Sequence, residues 1–285
     1  GPRTFALGET SGLQISCFVL NKVYESHLSR LSKMLIKTAN EIEVLREGGR
    51  RLAAVLREVV VAVRPGVTEL ELDALAEKLI RAGGDTPAFK NYQPGGANIP
   101  FPATLCVSVN DAIVHGIPTH RALEEGDIVG LDIGLAHKGL YTDMARTIMV
   151  GEVSTQDRVL VEDTERALSL GISATCSGAR MGDVGAAIEA VARPHHYGIV
   201  RELGGHGVGH AQHEKPYIPN YGVKGKGSKL MAGMVLALEP MFNIGTEEIL
   251  LGEDGYTYRT ADGSRSAHFE HTIVITESGP EVLTL

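Results

Sequence analysis

The sequence predicts an α+β fold in which helices cover one face of a mostly antiparallel sheet. Three observations predict it. Two pairs of amphipathic helices and two runs of strands follow in the order helices, strands, helices, strands, which is not the βαβ alternation of a parallel sheet. Within the strand runs, turn dipeptides of the kind that close hairpins separate the segments. The 285 residues, 43% apolar and 22% charged, have an ordinary globular composition and are enough for a sizeable core.

Taken in order, residues 1–33 stand apart. Gly1-Pro2 matches what a protease leaves on trimming an expression tag, and Val23, Leu28 and Leu31 give only a weak helical pattern. Met34 is a candidate native start. The expected division is a tail over 1–33, of tag or leader origin, and one domain over 34–285. Thr38 and Glu41 then form a capping box. Ile42, Leu45, Leu52, Leu56, Val59 and Val63 follow on one helical face, and Pro65-Gly66 stops the helix. A second box, Thr68 with Glu71, opens a helix carrying Leu72, Leu75 and Leu79, which Gly83-Gly84 ends. Lys90–Pro102 is a proline- and glycine-rich loop.

Strands come next. Leu105–Val109 and Ala112–His115 flank the hairpin dipeptide Asn110-Asp111, and Ile128–Ala136 and Leu140–Val150 flank His137-Lys138. Helical pattern returns over about 155–177 and 184–193, closed by Pro194. The last third reads as strand at Val235–Phe242, Tyr256–Thr260, Ala267–Thr276 and Val282–Leu285. The two halves have the same element order, so structural duplication is an open reading, although no sequence repeat supports it.

Several function classes are excluded. A formal charge of −8 argues against nucleic acid or an anionic membrane held by bulk electrostatics. Cys17, Cys106 and Cys176 form neither a disulfide framework nor a CxxC knuckle. No apolar run reaches the roughly 18–20 residues of a bilayer-spanning helix, and Ile15–Leu20 is too short for a secretory core. The expectation is a soluble protein of the cytoplasm.

Chemistry concentrates in four places. With His137-Lys138 as the turn, Asp132 and Asp143 oppose each other on one face of a hairpin whose neighbours are apolar. Like charges so placed repel and call for a cation between them; solvated acids or a slipped register are the alternatives. Gly204–Glu214 holds His206, His210 and His213 among four glycines, where backbone approaches a ligand closely. Those histidines are either metal ligands or ordinary hydrogen-bonded residues. Glu239, closing the apolar run Met234–Leu238, is a buried ligand or a strand-end acid. In Ala267–Ile275, His268, Glu270, Thr272 and Val274 share one face and Phe269, His271, Ile273 and Ile275 the other, so a buried Glu270 needs a partner. Four acids and one imidazole without thiolate suit Mn, Fe(II), Co or Zn. Four negative charges match two divalent cations, and a pair about 3.5–4 Å apart activates water and polarises a carbonyl or phosphoryl oxygen. Read from the residues alone, this is a dinuclear metal hydrolase.

From Thr38 to Leu285 the chain resembles the methionine aminopeptidases. Matching segments are Asn110–Pro118 with its His115-Gly116-Ile117-Pro118, Gly126-Asp127-Ile128-Val129 leading to Asp132, Gly205–His210, Met234–Pro240 and Ser266–Thr276. The resemblance implies the "pita-bread" fold, a curved antiparallel sheet with helices on its outer face and pseudo-twofold halves. It implies Asp132, Asp143, His206, Glu239 and Glu270 as ligands of two metal ions, with Asp143 and Glu270 bridging, Asp132 on the first ion and His206 with Glu239 on the second. His115 matches the histidine beside the substrate amine and scissile amide. His213 matches the one on the scissile carbonyl oxygen, and Glu239 handles the proton of the attacking hydroxide. Cys106 matches a methionine-pocket residue; Phe89, Tyr92 and Phe101 lie in the corresponding loop. Tyr256 stands where some relatives carry tryptophan, and His268 where many carry glutamine. The loop Tyr92–Phe101 is longer than usual in the family.

Only 30 residues separate Glu239 from Glu270, which implies the bacterial-style type I form. The implied partners are N-terminal methionine peptides and nascent chains near the ribosome, met by a monomer without nucleic acid or membrane. Two rivals remain: a proline-specific relative such as prolidase, whose large extra N-terminal domain does not fit in residues 1–37, and a non-catalytic module on the same fold.

Overall fold

A computed structural model describes residues 35–95 and 98–285. The expectations for the tail over 1–33 and for a start at Met34 lie outside the described residues. Helix α1 (Ala39–Ala62) begins where its capping box puts it: Thr38 Oγ1 accepts from the Glu41 N–H while the Glu41 carboxylate accepts from the Thr38 N–H. The second box starts α2 (Glu69–Ala82) in the same way. Strands β1 (Thr86–Pro87), β2 (Leu105–Val109), β3 (Ala112–Val114), β4 (Ile128–His137) and β5 (Leu140–Met149) follow, then helices α3 (Thr155–Ser173) and α4 (Met181–Ala192). The remainder is β6 (Gly198–Ile199), β7 (Gly205–Gly207), β8 (Glu214–Ile218), β9 (Val235–Leu238), β10 (Met241–Asn243), β11 (Ile249–Leu251), β12 (Tyr258–Thr260), β13 (Ser266–His268), β14 (Glu270–Thr276) and β15 (Gly279–Val282). The mixed α+β class is as expected.

The large sheet runs β1-β4-β5-β14-β9-β7-β8, with β2 added on β4 and β15 on β14, and every pairing is antiparallel. Two three-stranded sheets, β13-β10-β6 and β11-β12-β3, complete the fold. The core divides as the halves do. Leu52, Leu56 and Val59 of α1 and Leu72 and Ile80 of α2 pack on Leu105, Val107, Leu131 and Ile133 of β2 and β4. Leu160 and Leu168 of α3 and Val184 and Ile188 of α4 pack on Leu236, Ile273 and Ile275 of β9 and β14. Helix pairs therefore cover one side of a curved sheet, and the other side is left for chemistry. Among the described residues no helix is long and apolar enough to cross a membrane.

Several details differ from the sequence reading. The β4–β5 turn is Lys138-Gly139, not His137-Lys138. Both residues are left-handed (φ 49° and 83°), the signature of a type I′ turn, which wants glycine second. Asp132 therefore faces Ala145, and Asp143 faces Gly134. The register moves by two residues, so both aspartates keep their common face but become diagonal rather than direct neighbours. Asn110-Asp111 turns the chain without closing a ladder, because β2 joins β4 and β3 joins β12. Pro240 has no N–H to donate, and the predicted strand Val235–Phe242 splits there between two sheets; Ala267–Thr276 splits likewise at Phe269. Helix α3 ends four residues early, where Thr175 Oγ1 caps Gly171 O. Helix α4 starts three early, where the Asp183 carboxylate accepts from the Arg180 N–H. The last strand is Gly279–Val282, since Thr284 turns its hydroxyl to His271 Nδ1 and the Thr272 N–H.

Candidate metal centre

The sheet brings the candidate residues together rung by rung. Ala145 of β5 faces Asp132 on one side and Glu270 on the other. Directly opposed residues point to the same side of a sheet, so Asp132, Ala145 and Glu270 form one row. Asp143, two residues from Ala145, points the same way. In the neighbouring row Ala237 faces both Thr272 and His206. A buried alanine stands at the middle of each row, with the acids and the imidazole flanking it. Thr272 ties the two rows together: its hydroxyl accepts from the Asp143 N–H and donates to Asp143 O. Glu239 arrives from the break after β9, and its backbone carbonyl accepts from Asn220 Nδ2 at 2.9 Å.

Among the described residues, Asp143, His206 and Glu270 bring one potential ligand atom each within 4.8 Å of one another. His206 Nε2 lies 3.4 Å from Glu239 Oε1 and 4.0 Å from Glu270 Oε1. His206 Nδ1 donates to Gly207 O at 2.9 Å, which leaves the Nε2 lone pair facing the acids. Burial lowers His206 to about 3, so the ring is neutral. The carboxylates are pushed the opposite way. Burial raises Asp132 to about 7 and Glu239 to about 8, and it holds Asp143 and Glu270 well above the usual range, with the neighbouring acids adding to the effect. Asp132 Oδ1, Asp143 Oδ1 and Glu270 Oε1 are buried without a hydrogen-bond partner. Such orphans are costly. Four crowded acids, orphaned oxygens and a free imidazole lone pair are a donor set that hard-to-borderline divalent cations satisfy. The residues fit a metal centre.

A cavity of about 130 Å³ adjoins this set, and the sequence-selected residues line it: Asp132, Asp143, His206, Glu239 and Glu270, the histidines His115 and His213, and Phe89, Tyr92, Phe101, Cys106 and Tyr256. Cys106 faces Asp132 across β2–β4, so the apolar wall continues the row that holds the acids. Burial raises the Cys106 thiol, which keeps it a neutral, apolar neighbour. Phe101 meets Tyr256 edge-on at 5.2 Å, and Tyr256 OH donates to Ile99 O. His115, left-handed at φ 58°, is lowered by burial to about 4. His213 has its ring 4.5 Å from that of His206 and its Nδ1 3.5 Å from Tyr92 Oη. A second cavity of about 400 Å³ adjoins on the side of Glu202, Leu203 and Tyr217. His268 lies behind Glu239, Nε2 to Oε2 3.6 Å.

Sequence reasoning missed Pro94, which also lines the smaller cavity, and it missed Asn220. Pro94 was visible only as a loop residue, and nothing in the sequence near Asn220 points to Glu239. Thr272 was legible from alternation, as a neighbour of Glu270 on its face.

Residues 43–277 match the model of "Metallopeptidase family M24". The "Methionine aminopeptidase" of Clostridium perfringens is 42% identical over 252 residues, covering 88% of this chain and 99% of its own. The solved structure of methionine aminopeptidase from Rickettsia prowazekii has a TM-score of 0.84 at 38% identity, covering 88% of this chain and 99% of that one. The Xaa-Pro dipeptidase of Bacillus anthracis is more distant, with a TM-score of 0.70 at 26% identity, and only 62% of that longer chain is covered. A curved antiparallel sheet with helices on one side is the pita-bread arrangement, and with the extent of the match it establishes that this chain belongs to metallopeptidase family M24.

Proposed function

We propose that this chain is a methionine aminopeptidase, hydrolysing the first peptide bond of proteins and peptides that begin with methionine and carry a small second residue. The observation that carries the reading is the shared row: Cys106, Asp132, Ala145 and Glu270 lie side by side across β2, β4, β5 and β14, so an apolar pocket and the hydrolytic acids are one continuous surface. A flexible thioether suits a pocket of aromatic and sulfur neighbours, and its backbone then falls beside the acids. The near-complete mutual coverage with methionine aminopeptidases supports the same reading.

Asp132, Asp143, His206, Glu239 and Glu270 would hold two divalent ions, drawn from Mn, Fe(II), Co and Zn. Bound there, such ions supply Lewis-acid polarisation of a carbonyl oxygen and acidify a water molecule. The chain's own residues do the rest. The pocket of Phe89, Phe101, Cys106 and Tyr256 takes the first side chain, and the larger cavity by Leu203 and Tyr217 takes the residues after it. Glu239 accepts the proton of the attacking water. His213 donates to the carbonyl oxygen as that oxygen gains charge. His115, neutral through burial, relays the proton to the leaving amine. Products are free methionine and a peptide one residue shorter. A monomer acting on nascent chains near the ribosome in the cytoplasm belongs to the same reading.

The test compares metal-free enzyme with enzyme reconstituted with Mn or Co on Met-Ala-Ser and on an Ala-Pro peptide, measuring released amino acid and bound metal. Metal-dependent release of methionine with little action on Ala-Pro is expected. Preferential cleavage of Ala-Pro would give the chain to the proline-specific branch, and failure to take up either metal would make it a binding module.

A further inference from the structure

A buried ion pair, whose glutamate also lines the larger cavity, ties the segment ahead of α1 to the loop that carries His213. Lys37 lies in the segment ahead of α1, where Ile36 bridges to Met234 and the Lys37 N–H donates to Gly233 O at 2.8 Å. Its ammonium turns inward and donates to Glu214 Oε2 at 2.7 Å, the lysine side chain being 1% exposed and the glutamate 13%. Lysine is almost never buried to that extent unless paired. Glu214 uses its other oxygen, Oε1, to accept from the Ala211 N–H at 2.9 Å. One carboxylate therefore closes the short loop from 211 to 214 and joins it to a residue 177 positions away. His213 lies inside that closure.

Other contacts hold the same loop. His210 Nε2 is 2.7 Å from Glu41 Oε1, the glutamate of the α1 capping box. Gly209 O accepts from the Tyr141 N–H at 2.7 Å. Gly209 has φ 139°, and a Cβ built there would stand 2.4 Å from Lys37 Cε. The lysine stem thus packs on the loop backbone at the one place where only glycine fits.

We propose that Lys37 is a positioning residue for hydrolysis: by pairing with Glu214 in the interior it fixes the Gly209–Glu214 loop and aims His213 at the substrate carbonyl. The inference rests on the reading of His213 given above. An exposed pair would be loose and screened; a buried, hydrogen-bonded one has a single geometry. Displacing a catalytic group by about 1 Å costs on the order of 100-fold in rate, so a modest loop shift is enough to register.

Wild type, K37M, H213A and K37M/H213A are compared as Mn-reconstituted proteins on Met-Ala-Ser, with thermal melts and metal content measured alongside. Expected for K37M is a fall in kcat of about tenfold to 100-fold, KM within about threefold, unchanged metal content, and less than about twofold further loss when combined with H213A. Independently of turnover, the His213 imidazole resonance in protein loaded with diamagnetic Zn should move in K37M while that of His115 stays. If K37M does not fold, E214Q takes its place: it keeps an oxygen for the Ala211 N–H and loses the charge, so the same pattern is expected at smaller amplitude. An unchanged kcat, a loss that multiplies fully in the H213A background, or an unmoved His213 resonance overturns the proposal. Full activity in H213A overturns the His213 reading itself and the proposal with it, a result distinct from an impaired H213A beside an active K37M.

Discussion

Chelation of the metals should make the stability of this protein fall as pH rises from about 6.5 to 8. Without cations, the four acids keep protons in the folded state that the unfolded chain has lost by about pH 4–4.5. Burial puts Asp132 at about 7 and Glu239 at about 8, with Asp143 and Glu270 also well raised. A carboxyl with a raised folded pKa contributes stability that is complete below its unfolded pKa and is lost as pH climbs through the folded one. Buried imidazoles act in the opposite sense. His115 and His271 fall to about 4 and His206 to about 3, and His213 and His268 are also lowered. Their contribution grows with pH until about 6.5, where the unfolded histidines lose their protons, and is constant above that. The two slopes oppose each other below about 6.5; above it only the carboxyls remain. At about 1.4 kcal/mol per pH unit until each group ionises, Asp132 and Glu239 together lose about 3 kcal/mol between pH 6.5 and 8. Asp143 and Glu270 act in the same direction. At about 2–3 °C per kcal/mol for a chain of this size, the melting midpoint of chelated protein drops by about 5–10 °C. Thermal melts of chelated and Mn-loaded protein at half-unit pH steps measure it, and the gap between the two should widen with pH because cation binding displaces the protons. A chelated midpoint that is flat or rises over this window would refute the reasoning.

Three further outcomes follow from the geometry. D143N and H206A each remove a potential ligand atom from the cluster and should lower metal content, with a rate loss of several kcal/mol in barrier, or about a thousandfold; metal analysis beside the peptide assay checks both. Gly134→Ala places a Cβ 2.9 Å from Phe89 Cε1, which pushes the pocket wall inward. Its KM for methionine peptides should rise by about tenfold, an overpacking cost of about 1–3 kcal/mol, with metal content unchanged. Gly139→Val meets no atom within 4 Å but must hold φ 83°; a loss of about 1–2 kcal/mol in thermal or urea unfolding is expected, and a neutral result would argue against the type I′ turn that sets the β4–β5 register.

The helices were legible because their signals are local. The Thr38–Glu41 and Thr68–Glu71 boxes and the apolar period that follows need no tertiary partner. The gathering of the candidate aspartates was legible because face parity survives a two-residue slip: Asp132 and Asp143 stay on one side of the hairpin with either turn. The true register was not legible, since it depends on Lys138, an untypical residue for a left-handed turn position, preceding Gly139. The break at Phe269 escaped because Ala267–Ile275 reads as one continuous alternation, and the change of sheet at Glu239-Pro240, marked in the sequence only as the close of an apolar run, escaped because sheet membership is decided by partners far along the chain. Short strands such as β6 and β7, rich in glycine, have no propensity of their own and exist through their neighbours. Lys37 and Glu214 lie too far apart for any pattern to link them.

The central claim is that Asp132, Asp143, His206, Glu239 and Glu270 are brought together to hold divalent cations beside an apolar pocket. Anomalous diffraction from a Mn-soaked crystal, recorded on both sides of the Mn absorption edge, tests it most directly. Two edge-dependent peaks are expected between Asp143 and Glu270, one flanked by Asp132 and the other by His206 and Glu239. An absence of peaks there at saturating Mn, or peaks only at surface carboxylates, would contradict it.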